Sequence, residues 1–534
     1  MSEPRSHLPT HSVENQPDTA GDRDLWAADP VLRACVGPQP DLAQYGATLG
    51  TNAIRATGRL ANHHTPELRQ FDTGGRRLDE VAFHPAYHQM MTLSQGAGYA
   101  ATAWDGGSHM AHAAMVYLAS QVEPGHCCPL TMTYAAVPAL QVDAALAAKW
   151  TPRLTARNYD PRALPLAHKT SATLGMAMTE KQGGSDVRAN TTSATRDGDH
   201  WRLRGHKWFC SAPMSDGFLT LAQAPGGLTC FLVPRWLEGE RNAVHLMQLK
   251  DKLGNKSNAS SEIEYHDALA HQLGDEGRGV QTIIEMVHHT RLDTAIAPAG
   301  LMRAALVEAM HWVRHRRAFQ KTLIDQPLMR SVMADLMLDW EGATRLGLHI
   351  ARAFDGTASE DRAFARIGVA LAKFLNNKLC LRVTYEAMEA LGGIGYVEDT
   401  AMPLYFREAP LNGIWEGSGN VICLDILRTL AREPLAGKAL QAELQAATGS
   451  DQRYDAALAA HRQRWPGLPG EAEARLYAER AALLLTASVL IRTASAAVAD
   501  GYVGSRLSEG RGHIAGSVTG LDVDAIITGF DAST

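Results

Sequence analysis

The sequence predicts a mainly helical α+β protein: a small β domain between two helical blocks, with a further helical block closing the chain. Three observations carry this. Apolar residues recur at helical spacing through most of 41–172 and again from Val280. Between 173 and 279, Gly and Thr rise and short β-like runs appear between turn signals. After Glu433-Pro434 the chain becomes Ala- and Arg-rich and helical again.

The 534 residues allow roughly three to four domains at ~150 residues each. With 45% hydrophobic and 20% charged residues, the chain is not disordered, collagen-like or mucin-like. Its 51 Lys/Arg against 57 Asp/Glu leave a net charge of −6, with no global basic excess for nucleic acid or an anionic membrane. The longest strongly apolar stretch, Ala481–Ile491, falls far short of the ~20 residues of a membrane span. The N-terminus has no apolar segment of the secretory type. Seven scattered cysteines with no CxxC pair argue against a disulfide framework and against structural zinc. The expected setting is the cytoplasm, without membrane contact and without a metal.

In chain order, residues 1–40 read as an N-terminal arm, polar over 1–25. Residues 41–172 form a helical domain cut by Asp105-Gly106-Gly107 and Glu123-Pro124-Gly125. Residues 173–279 form a mostly antiparallel β domain whose runs are Trp201–Leu203, Phe218–Ala222, Leu228–Val233 and Glu262–Tyr265. Residues 280–435 carry four helical stretches, about 280–315, 325–355, 360–391 and 418–432, the pattern of a bundle. Residues 436–534 are helical to about Val498 and Gly-rich beyond.

A glycine-rich turn, Met176 to Asp186, lies where helix gives way to strand. Two readings fit it. Gly183-Gly184 lets backbone N–H groups approach a pyrophosphate or a ring carbonyl, with Thr179 and Ser185 adding hydroxyls; or the segment is a surface turn capped by Ser and Asp. It is neither a Walker A loop nor GxGxxG.

Ala177-Met178-Thr179-Glu180-x-x-Gly183-Gly184-Ser185-Asp186-x-x-Ala189 resembles the first signature of the acyl-CoA dehydrogenase family. Four further pieces agree in order: Gly205 to Ser211, Lys252 to Asn258, Arg316 to Gln320, and Glu389 to Tyr396 followed by Ile414 to Asn420. The Trp415-Glu416-Gly417-Ser418-Gly419-Asn420 loop and the C-terminal extension of ~100 residues are similar to the AidB-like branch, bacterial flavoproteins linked to the DNA alkylation response. The resemblance implies the family fold: an N-terminal helical domain, a middle β-barrel and a four-helix bundle, here with an extra helical domain. It implies FAD as cofactor, an acyl-CoA substrate and a homotetramer. Cofactor contacts implied by position are Met176, Met178, Thr179, Gly184, Ser185, Phe209, Ser211, Trp415, Ser418 and Asn420. Arg316, Phe319, Gly392 and Gly393 would reach the FAD of a neighbouring subunit. One departure stands out: a basic residue usual after the GGxG turn is missing between Tyr396 and Phe406, with Arg407 the nearest.

Dehydrogenating a thioester at Cα–Cβ needs a base for the Cα proton. A carboxylate serves if desolvation raises its pKa toward neutrality. Glu416, beside an indole and flanked by glycine, is the expected base. The plainer reading is an acid favoured by the dipole of the helix that follows. Some family members place the base just before an Arg on the bundle helix. Here that Arg matches Arg291, expected at the substrate, and Thr290 before it cannot act as base. Asp293 is expected to be a polar bystander.

The pairs His84/His88 and His311/His315 have helical spacing but no carboxylate partner, and read as packing or surface residues. His288-His289 are either cleft-lining or buried and hydrogen-bonded. Cys127, Cys128 and Cys210 read as small apolar fillers, and the methionines of 332–338 as core.

Association with double-stranded DNA through the C-terminal block is a further implication of the resemblance. Residues 438–534 hold nine Lys/Arg against eleven Asp/Glu, whereas a duplex-binding face wants a positive excess. Arg428 and Arg432, on the helix leaving the active loop, are the candidates for a local basic stripe; the plainer reading is a solvated helix of mixed charge.

Overall fold

The computed structural model describes residues 4–508 and 511–531; the ends of the predicted arm and C-terminal block lie outside this range. The arm has almost no regular structure before helix Pro30–Val36. It lies along the bundle: Asn15 bonds the backbone N–H and carbonyl of Arg317 at 2.8 and 2.9 Å, and the Asp18 carbonyl meets His311 Nε2 at 2.7 Å.

The N-terminal block is helical with one exception. Glu67–Phe71 and Arg77–Ala82 pair as an antiparallel hairpin where the sequence reading placed helix. Its turn is set by Asp72, which accepts from the N–H groups of Gly74 and Arg76 at 2.8 and 2.9 Å. Two helices of this block, His109–Ser120 and Cys127–Leu140, are buried almost throughout and pack on the long helix Gly279–His315.

The β domain is a seven-stranded sheet. Ser260–Leu273 and His200–Ser211 pair antiparallel at its centre, and Gly227–Pro234 pairs with both Ser260–Leu273 and Gly217–Ala224, curling the sheet on itself. All four expected runs lie inside strands. Leu174–Ala177, Ser193–Asp197 and Val244–Leu249 join them, the first running parallel to Gly217–Ala224.

The bundle consists of Gly279–His315, Pro327–Asp355, Ser359–Ala390 and Gly419–Arg432, within a residue or two of the expected stretches. The C-terminal block departs from expectation at its end: helices continue through Ala496–Arg506, and Val523–Phe530 follows. Asp522 caps this last helix by accepting from Ala525 N at 3.0 Å. Ile526, Ile527 and Phe530 are buried, with the Phe530 ring edge-on to Trp340 at 5.0 Å. Tertiary burial thus makes a helix out of a stretch whose Gly-rich approach reads as loop. Among the described residues no helix is long and apolar enough to cross a membrane.

Candidate functional site

The site forms where the β domain meets the bundle. The turn after strand Leu174–Ala177 is stapled from beneath by Glu180, which is fully buried. Its carboxylate accepts from Lys207 Nζ at 2.7 Å and from the N–H groups of Thr191 and Thr192 at 2.7 and 3.2 Å. Burial pushes this carboxyl up, but Lys207 and the threonine donors outweigh it and hold it near 2. Above the staple, Gly183, Gly184 and Ser185 face outward. Gly184 lies so close to Thr179 that a Cβ there would stand 2.6 Å from the Thr179 hydroxyl.

The neighbouring strand ends in Phe209 and Ser211. Phe209 is 48% exposed, which no packing argument explains in a β domain. Ser211 pairs with Ser260 across the sheet, their hydroxyls 3.4 Å apart. Cys128, buried beneath, has its thiol pushed up to about 12 by desolvation and is inert; Cys127 and Cys210 are likewise buried.

From the bundle side comes the loop between helices Met402–Glu408 and Gly419–Arg432. Trp415 packs with Met176 and Met178 against one apolar cluster, so the two halves of the candidate site share a wall. The Trp415 indole N–H donates to Asn412 Oδ1 at 2.7 Å. Glu416 and Gly417 both take left-handed backbone angles, φ +56° and +102°. For a glutamate this is a strained conformation of the kind found at functional sites. The Glu416 carboxylate accepts the Thr290 hydroxyl at 2.9 Å. Desolvation raises its pKa above the ordinary value, against the lowering pull of Thr290, Lys373 and Arg291.

Thr290 is the contact that sequence reading missed. Unable to be a base itself, it hydrogen-bonds the Glu416 carboxylate. Arg291 also differs from expectation. Its guanidinium is buried, donating from Nη1 to Asp425 Oδ2 at 2.8 Å and from Nε to the Glu416 carbonyl at 3.2 Å. It braces the loop from behind, because Asp425 on the following helix draws it inward together with Arg366.

Helix Gly419–Arg432 starts at Ser418, which is exposed and whose side chain makes no capping bond. Asn420 Oδ1 accepts from Arg475 of the C-terminal block at 2.9 Å. Arg475 and Lys378 flank Gly419, so cations and free helix N–H groups face outward together. The remaining predicted contacts lie outside this group. Arg316 is engaged by the Asn15 carbonyl, Phe319 stands 93% exposed on a hairpin tip at φ +50°, and Gly392 and Gly393 have open space around them. Arg407 pairs with Glu398 instead of serving the turn.

Beside Thr290, His289 belongs to a cluster of rings with Trp104, His109, Tyr134 and Phe354, with centroids 4.9–5.9 Å apart. Desolvation lowers His109 and His288 to about 3 and His289 to about 4, so all three are neutral. Asp293 is more than a bystander: it pairs with buried His112 at 2.8 Å. His84 caps a helix and His88 bonds Tyr159; His315 bonds the His311 carbonyl. Among the described residues no group of three or more His, Cys, Asp or Glu is arranged to hold a metal.

The outward nest at Gly183–Ser185, the exposed Phe209 with Ser211 beside it, and the uncapped helix end with its two cations fit a flat heteroaromatic ring carrying a phosphate tail, as FAD does.

Comparison with known proteins agrees. Residues 15–161 match the adaptive response protein AidB N-terminal domain, 175–268 the acyl-CoA dehydrogenase middle domain, and 277–431 the acyl-CoA dehydrogenase C-terminal domain. The chain is 45% identical over 467 residues to the Escherichia coli (strain K12) protein named "Putative acyl-CoA dehydrogenase AidB", covering 85% of this chain and 86% of that one. It is 31% identical over 419 residues to the Caenorhabditis elegans acyl-CoA dehydrogenase family member 11, covering 73% of this chain and 66% of that one. Among solved structures, Caenorhabditis elegans ACDH-11 in complex with C11-CoA superposes with TM-score 0.81 at 26% identity, over 98% of this chain and 94% of that one. The Bd2924 apo-form gives 0.80 at 28%, over 91% and 99%. The chain belongs to the acyl-CoA dehydrogenase family, in its AidB-like branch, and is an FAD-dependent oxidoreductase.

Proposed function

We propose that the protein dehydrogenates an acyl-CoA thioester at Cα–Cβ with Glu416 as the base. The observation that carries this is the placement of the Glu416 carboxylate: bonded by Thr290 at 2.9 Å and mounted on a strained loop next to Trp415, where burial pushes its pKa up. Such a carboxylate is proton-hungry nearer neutrality than a solvated one. Bound FAD supplies the acceptor for the Cβ hydride. Thr179, Gly184, Ser185 and Ser211 would hold it from the β domain, with Met176, Met178 and Phe209 along its ring. Ser418 and Asn420 would meet its phosphate tail. Trp415 keeps water from the carboxylate, and Arg291 fixes the loop from behind. The acyl-CoA class rests on the relative whose structure holds C11-CoA. A homotetramer, in which Arg316, Phe319, Gly392 and Gly393 complete a neighbour's FAD site, accounts for the otherwise unexplained exposure of Phe319.

A protective role at duplex DNA is the competing reading, through Arg428 and Arg432. Charge pairing speaks against it. Arg453, Arg464, Arg492, Arg506 and Arg511 of the C-terminal block are all engaged by carboxylates, and Arg428 has Asp425 at 3.7 Å.

The test is anaerobic titration of the purified flavoprotein with a panel of acyl-CoAs, with a DNA gel shift in parallel. Bleaching of the flavin is expected, and Glu416→Gln should abolish it while retaining FAD. Unchanged bleaching in that variant sinks the base assignment. Salt-sensitive DNA affinity without any bleaching favours the competing reading.

A further inference from the structure

A buried lysine beneath the active loop has no carboxylate bonded to it. Lys373, on helix Ser359–Ala390, is 1% exposed. Its Nζ donates to two backbone carbonyls, Asn412 O and Gly417 O, each at 2.9 Å. Burying an ammonium is costly, and buried lysines are ordinarily matched by a carboxylate. Lys207 and Lys169 follow that rule here, paired with Glu180 and Asp216 at 2.7 and 2.9 Å. Lys373 does not, so its partners have to account for it.

Those partners straddle the chemistry. Asn412 is the residue whose side chain receives the Trp415 indole N–H. Gly417 directly follows Glu416, and both have left-handed backbone angles. One ammonium therefore ties the segment on both sides of Trp415-Glu416. A left-handed non-glycine residue persists only where its surroundings over-determine it. The other restraints on Glu416 are the Thr290 hydroxyl on its carboxylate and Arg291 on its carbonyl; neither reaches residue 412.

We infer that Lys373 is the positioning residue that clasps the active loop and holds Trp415 and Glu416 in the geometry for proton abstraction. The inference rests on the reading of Glu416 as base. The charged groups facing Lys373 are Glu416 on the loop, Arg291 on the long helix and Lys378 on its own helix. Desolvation, aided by the two cations and opposed by Glu416, lowers Lys373 to about 7. A neutral amine keeps two N–H groups for the two carbonyls, so a rise in pH weakens the clasp through loss of charge and not through loss of a bond.

The test compares wild type, Lys373→Met and Lys373→Arg as FAD-loaded full-length proteins. Four quantities are read: FAD content, melting temperature, anaerobic flavin bleaching by an acyl-CoA across pH, and ionisation of a 3-thia-acyl-CoA, whose Cα proton can be removed but whose β position carries no hydride. Lys373→Met should keep its FAD and slow bleaching by about a hundredfold, with a smaller change in KM. It should raise the pH at which the thia-thioester ionises and lose the alkaline fall of the wild-type rate. Lys373→Arg should recover part of the rate. Lys373→Gln, which keeps a donor without the charge, replaces the methionine variant if that does not accumulate, with the same expectation. A rate within threefold of wild type in an FAD-loaded variant overturns the inference. So does loss of FAD together with the fold in both the methionine and glutamine variants, for then the lysine holds the fold and not the base. If wild type binds FAD and no acyl-CoA bleaches it, the base reading falls, and this inference with it.

Discussion

Thr290 sits where some relatives carry a base, and the structure gives it a different task. Its hydroxyl donates to the Glu416 carboxylate and so lowers a pKa that desolvation raises. Removing that bond lets desolvation act unopposed. A net hydrogen bond of about 0.5–1.5 kcal/mol corresponds to roughly half to one pH unit. With Glu416 as the proposed base, which acts deprotonated, the acid-side midpoint of flavin bleaching in Thr290→Val should therefore move up by about that much. A pH–rate profile that does not move, or moves down, contradicts the contact. Glu416 was legible in the sequence as a candidate because its loop is local: Trp, Glu, Gly and Ser stand side by side. Thr290 was not, because its bond spans 126 residues and no local pattern encodes it. Arg291 misled for the same reason: only the fold shows Asp425 and Arg366 behind it.

At the scale of elements, the helices of the bundle were legible because their apolar period runs for 29–37 residues in the three longest, enough to average out local exceptions such as Pro298. Short elements fared worse. The hairpin 67–82 has one half-exposed strand, and its alternation is masked by Arg and Glu at paired positions. The junction between Pro327–Asp355 and the C-terminal block was invisible as well, since it is built from charge. Asp335 and Asp339 are 0% and 1% exposed and face Arg506, with Arg511 and Arg382 beside them. Asp335 also accepts the Gly516 N–H at 2.9 Å. Although burial pushes Asp335 up, Arg506 and Arg511 hold its carboxyl below the ordinary value. Asp335→Ala would leave buried Arg506 with Asp339 alone and strip the Gly516 N–H of its acceptor, a loss smaller than the roughly 3–5 kcal/mol of a buried charge left wholly unpaired. A clear fall in melting temperature is expected near neutral pH. Because the folded-state pKa is depressed, this contribution is present above the ordinary aspartate pKa and fades as pH drops through the lowered one. The gap between wild type and variant should therefore narrow in acid; a gap that is constant with pH would mean packing, not charge, carries the junction.

For the whole molecule, the question is whether the C-terminal block is an appendage or part of the enzyme's frame. Length alone marks it as surplus to the segment that matches the family domains, which ends at residue 431. Packing says otherwise. Thr486 and Tyr502 lie against Gly342, where a Cβ would meet them at 2.9 and 3.0 Å. Arg345 donates to the Thr493 carbonyl at 2.8 Å, and Phe530 packs on Trp340. Arg475 reaches from this block to Asn420 and lies over the Phe374 ring at 5.4 Å, immediately beside Lys373. The block thus supports the active loop from outside while Lys373 holds it from within. Cutting the chain after Leu435 would strip the cover from Trp340, Gly342 and the helix Pro327–Asp355, exposing a large apolar face. The truncated protein should fail to accumulate as a folded flavoprotein. Arg475→Ala, which removes only the reach to the loop, should keep the melting temperature within a few degrees and weaken FAD retention, read by the flavin absorbance that survives gel filtration. A truncated chain that stays yellow, monodisperse and as heat-stable as the full protein would show that the block is an independent domain and that the active loop stands without it.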